Sequence, residues 1–67
     1  MSYTQQEVTE RAQRILSQPF GLRLGTINEF NDMASGGSAY GIREQYYPGK
    51  PDSFFRDVLK LVNKGSI

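Results

Sequence analysis

Catalysis by a side chain needs a poised acid, base or nucleophile, and this 67-residue chain offers only carboxylates, amines, guanidinium groups, hydroxyls and phenols, with no cysteine and no histidine. Most of its acids have structural work that their positions explain. Glu7 and Glu29 each stand three residues after a threonine, the spacing of a capping box. Asp52 precedes an apolar run as an N-cap would, and Glu10 and Asp57 fall on the outer faces of helices. Glu44 differs, lying beside Arg43 in the least regular stretch of the chain, but a single carboxylate with no partner at a recognisable spacing reads as an exposed strand-face residue. The expectation is no enzyme, no catalytic residue, no metal ligand and no cofactor.

Two constellations remain. The stretch Ser35-Gly36-Gly37-Ser38-Ala39-Tyr40-Gly41 has the glycine content of loops whose backbone N–H groups cradle phosphates. It lacks both G-x-x-x-x-G-K-S/T and G-x-G-x-x-G, and it follows a helix pattern where those motifs follow a strand, so a helix cap and connector explains it more simply. The second constellation is Tyr40, Arg43, Tyr46, Tyr47 and Lys50, with Ser38 just before it. Tyrosine gives large contact area at low entropy cost, arginine stacks and makes bidentate bonds, and a long segment of weak periodicity is more often functional than connecting. These six residues are the candidate partner- or ligand-binding set.

Elements must position them. Thr4 and Glu7 form a T-x-x-E box, and Tyr3 and Val8 have the spacing of a hydrophobic staple, so a helix starts at Gln5. Val8, Ala12, Ile15 and Leu16 line one face. Glu7/Arg11 and Glu10/Arg14 make acid-before-base i,i+4 pairs on the other, and Pro19 ends the helix near Ser17. Phe20 to Leu24 alternates large apolar with small or polar residues, which predicts a short strand. Thr26 and Glu29 repeat the capping spacing ahead of Ile27, Phe30, Met33 and Ala34, a short helix that Gly36-Gly37 closes. Tyr40, Ile42 and Tyr46 share a strand parity over 39–47, Pro48-Gly49 is a turn, and Asp52 opens a last helix ending at Gly65. That helix carries Phe54, Phe55, Val58, Leu59, Leu61 and Val62. Its apolar face is broader than one stripe, which fits either a core wrapped around it or a share in a subunit interface.

These elements make an α+β fold, mostly helical, in one small domain over 1–67, with an all-α three-helix domain as the alternative. The expected core is Val8, Ala12, Ile15, Leu16, Leu22, Leu24, Ile27, Phe30, Phe54, Val58, Leu61 and Val62. A hydrophobic content of 37% supports folding, while the absence of disulfide and zinc ligands leaves self-association as a route to added stability. A net charge of +1 is too weak to hold a polyanion, so nucleic acid is disfavoured as a partner. No apolar run reaches the roughly 18 residues of a membrane span, and the polar start from Met1 to Glu7 is unlike a signal peptide, so a cytoplasmic protein is expected. The expected function is a non-catalytic protein-binding regulator or inhibitor, homo-oligomeric, presenting the 40–50 segment to another protein. The competing expectation is an oligomer that binds a small anionic, nucleotide-like ligand through the same glycine, tyrosine and arginine residues.

Overall fold

The computed structural model describes residues 3–38 and 41–65. Among the described residues are four helices: α1 (Gln5–Leu16), α2 (Phe20–Ala34), α3 (Ile42–Tyr46) and α4 (Asp52–Lys64). Among the described residues there is no strand, so the α+β expectation is overturned in favour of an all-helical domain. Nor is any helix among them long and apolar enough to cross a membrane.

α1 begins as its sequence dictates. The Thr4 hydroxyl oxygen accepts the Glu7 N–H at 3.2 Å, and the Glu7 carboxylate accepts the Thr4 N–H at 3.1 Å, completing the capping box. Tyr3 is buried, with its ring edge-on to Phe54 at 5.3 Å. Its hydroxyl donates to the Asp57 carboxylate at 2.9 Å and lies 2.9 Å from Ser53 Oγ, pinning the entry of α1 to α4. The expected ion pairs along α1 do not form; Glu7 instead meets Lys50 Nζ at 3.2 Å.

The larger correction is at residues 20–24, which form the first turns of α2 rather than a strand. Pro19 accounts for both neighbours: it stops α1, and its own φ of −55° and its carbonyl, which accepts the Arg23 N–H at 2.9 Å, start α2. Five alternating residues cannot outweigh helix propagation from the Ile27–Ala34 stretch that follows them. Thr26 is consequently no cap, and its hydroxyl donates back to the Leu22 carbonyl at 3.1 Å within the helix. Leu22 and Leu24, expected in the core, are 64% and 48% exposed.

The second expected strand is also helical where it is described. Ala39 and Tyr40 lie outside the described residues, and Ile42–Tyr46 form α3, entered through Gly41 at φ +84°. Ile42 and Tyr46 are four residues apart, a spacing that suits one strand face and one helix face equally. Pro48-Gly49 is the expected turn, with the Lys50 N–H donating to the Tyr47 carbonyl at 3.2 Å. Asp52 is the first residue of α4 rather than its cap; Pro51 holds the cap position.

α1 and α2 both pack on α4 and touch each other far less. Phe54, Phe55, Val58, Leu59 and Val62 of α4 are buried against Val8, Ala12 and Ile15 of α1 and Phe30 and Met33 of α2. The broad face of α4 is therefore covered by its own chain, with Leu61 partly buried at its margin. Gly65, at φ +69°, ends α4 as expected.

Candidate functional site

The polar face of α1 and the connection from α3 to α4 enclose an open cleft of about 290 Å³. α1 contributes Glu7, Glu10, Arg11 and Arg14. The connection contributes Tyr46, Tyr47, Pro48 and Lys50, and the Phe54 ring lies beneath. The walls stand where they do because both carry anchors in the core. Tyr47 is half-buried, meeting Phe30 edge-on at 5.4 Å and Phe55 at 5.6 Å, and this fixes the chain just after α3. Lys50 spans the cleft to Glu7, with its ammonium 5.8 Å from the Phe54 ring centroid.

Charge in the cleft is unevenly satisfied. The Glu7 carboxyl is held below its ordinary range, first by the hydrogen bond from the Thr4 backbone and then by Lys50. Burial pushes the Tyr47 phenol above its ordinary range, which keeps it a neutral hydrogen-bonding group, and the nearby Arg11 partly offsets that rise. Arg11 stacks its guanidinium 5.1 Å above the Tyr47 ring. Neither Arg11 nor Arg14 has an ion-pair partner among the described residues. Tyr46 projects at the rim, 64% exposed.

Of the six residues singled out by sequence, Tyr46, Tyr47 and Lys50 come together in this cleft. Tyr40 lies outside the described residues. Ser38 forms a turn, its carbonyl accepting the N–H groups of Gly41 at 3.0 Å and Arg43 at 3.3 Å. Arg43 points away from the cleft, into the chain: it donates to the carbonyls of Met33 at 3.0 Å and Lys50 at 3.3 Å, pairs with Asp52, and stacks 5.2 Å from the Phe55 ring. Sequence reasoning missed Arg11 and Arg14. Their signal was present as two arginines on one side of α1, read there as halves of local ion pairs.

The glycine stretch places a carboxylate where an anion site would need open N–H groups. A Cβ on Gly37 would lie 2.5 Å from Asp32 Oδ2, so that side chain already occupies the space over the loop. Glu44 is exposed on α3. No group of three or more His, Cys, Asp or Glu that could hold a metal occurs among the described residues. Compared with protein-family models, curated proteins and solved structures, the chain finds no match.

Proposed function

We propose that this protein is a small, non-catalytic protein-binding regulator that captures an acidic segment of another protein in the cleft between α1 and the α3–α4 connection. The observation that carries this reading is the pairing of an exposed Tyr46 with two arginines that have no carboxylate of their own within ion-pair distance. Tyrosine and arginine are the side chains whose truncation most often costs an interface its affinity. An incoming carboxylate would complete Arg11 and Arg14, while Phe54 and Tyr47 give its aliphatic stem an apolar floor. Lys50 is already paired with Glu7, so it shapes the cleft and contributes less to attraction.

The competing reading, an oligomeric binder of a small nucleotide-like anion, would use the same two arginines with Tyr46 as a stacking platform. A cleft of about 290 Å³ that is open to solvent favours a peptide edge over an enclosed ligand.

Peptides selected by phage display against the protein should be rich in Asp and Glu. Tyr46→Ala and Arg14→Glu should each weaken them by on the order of tenfold or more, as expected for loss of an interface anchor. Selected peptides that are basic, or that bind both variants as well as the parent, would refute the assignment. A nucleotide panel that raises the melting temperature of the parent and not of Arg14→Glu would replace it with the small-anion reading.

A further inference from the structure

An ion pair crosses the cleft from wall to wall, and each of its partners is anchored by bonds that do not depend on the other. Glu7 comes from the first turn of α1, where its Oε1 accepts the Thr4 N–H at 3.1 Å and leaves Oε2 to meet Lys50 Nζ at 3.2 Å. Lys50 comes from the α3–α4 connection. Its own N–H donates to the Tyr47 carbonyl at 3.2 Å and its carbonyl accepts from Arg43 at 3.3 Å, so its backbone is fixed on both sides. Its ammonium also lies over the Phe54 ring that floors the cleft. Neither wall needs the ion pair to stay in place.

We infer that this pair is an autoinhibitory contact, in which Glu7 holds Lys50 in place of a partner's carboxylate; the inference rests on the assignment of the cleft to an acidic segment. Glu7 has the chemistry of the proposed ligand, a carboxylate lining the same cleft as Arg11, Arg14 and Lys50. Its carboxyl, lowered first by the hydrogen bond from the Thr4 backbone and then by Lys50, is ionised at neutral pH. The Lys50 and Glu7 side chains keep 22% and 43% of their surface exposed, and a pair so open to solvent holds weakly enough for a second carboxylate to take over the ammonium. Exchange leaves the capping box of α1 intact, because that box uses the other carboxylate oxygen.

The contact sets a threshold. A segment with one acidic residue is served by Arg11 and Arg14 and leaves the pair closed. A segment with a second acid close by can draw Lys50 away from Glu7 and gain a third cation. Glu7 thereby determines how acidic a partner must be.

Glu7→Gln separates the two roles of this residue, because glutamine also completes a capping box and carries no charge to hold Lys50. Calorimetric titration with a peptide of consecutive Asp and Glu residues should show an affinity gain on the order of tenfold over the parent, the size of a charge-assisted hydrogen bond freed from competition. Glu10→Gln removes the same charge from the same wall at a residue with no ion-pair partner among the described residues. It should gain about threefold or less, through the general field alone. Adding Lys50→Met should cut the Glu7→Gln gain to the Glu10→Gln level while an apolar stem stays on Phe54. Without any peptide, acetylation of Lys50 by an amine-reactive ester, read by mass spectrometry against the exposed Lys60 and Lys64, should quicken in Glu7→Gln and not in Glu10→Gln.

Tighter binding in Glu7→Gln that Lys50→Met abolishes supports the contact, as does binding detected in Glu7→Gln and absent from the parent. Equal or weaker binding in Glu7→Gln, a gain matched by Glu10→Gln, or an unchanged Lys50 acetylation rate overturns it. The acidic-segment assignment still stands in those cases if the parent binds the peptide and Arg14→Glu does not. Absence of binding by the parent and Glu7→Gln alike overturns both.

Discussion

Replacing Arg43 with alanine should destabilise the protein by about 3 kcal/mol, because one side chain ties together three segments of the chain. Its guanidinium closes the last turn of α2 through the Met33 carbonyl, holds the turn before α4 through the Lys50 carbonyl, and pairs with Asp52 at the start of α4. Each carbonyl bond from a charged donor is worth roughly 1 kcal/mol net. The ion pair deserves less than its geometry suggests, since Asp52 is 39% exposed, and about 0.5 kcal/mol is reasonable after screening. Stacking on Phe55 adds roughly another 0.5 kcal/mol. Total stability for a domain of this size is on the order of 3–10 kcal/mol, so the variant would sit near the edge of folding. Urea melts at neutral pH give the loss directly. Arg43→Lys supplies the informative control: it keeps the charge but has no planar fork, and should recover less than half of the deficit. A loss below about 1 kcal/mol in Arg43→Ala, or full recovery in Arg43→Lys, would refute the account of this residue as a three-way tie.

Tyr3→Phe removes the hydroxyl that reaches Asp57 and Ser53 while leaving the ring on Phe54, and should cost about 1–2 kcal/mol in the same melts. Gly21→Ala and Gly25→Ala should each raise monomer stability by about 0.5–1 kcal/mol, measured by thermal or urea melts at dilution, because the added methyl meets nothing in the chain. The Glu7 carboxyl is lowered in the folded protein, so its contribution is present above the unfolded value near 4.5 and disappears as pH falls through the lower folded value. Amide protection factors at the start of α1, which correct for the intrinsic slowing of exchange in acid, should therefore fall on acidification through that window, and Glu7→Gln should flatten the change.

The two ends of the chain were legible in sequence and its middle was not. α1 announces itself through two independent start signals on Tyr3, Thr4, Glu7 and Val8, and α4 through a dense apolar face closed by glycine. Residues 20–24 misled because alternation over five positions is a weak signal, and because Pro19 was read only as a stop when the same φ also begins a helix. The candidate site was half legible for a related reason. Sequence identifies residue types suited to recognition but not the direction in which they point. Tyr46 faces outward and Arg43, three residues earlier, faces inward, although both carry equal promise by composition. Arg11 was hidden by an expected pairing with Glu7 that Lys50 pre-empts from the other side of the cleft, and Arg14 by an expected pairing with Glu10 that does not form.

The arrangement in which α1 and α2 lean on α4 more than on each other has a consequence for how the chain comes into being. As a ribosome releases residues in order, both early helices emerge without the surface that buries Val8, Ile15, Phe30 and Met33. Isolated helices of 12 and 15 residues, the second interrupted by two glycines, are marginal in water and will flicker until Phe54 to Val62 clears the exit tunnel. Collapse then becomes a single late event, and a nascent chain stalled before Asp52 would be a substrate for chaperones and proteases rather than a partly assembled fold.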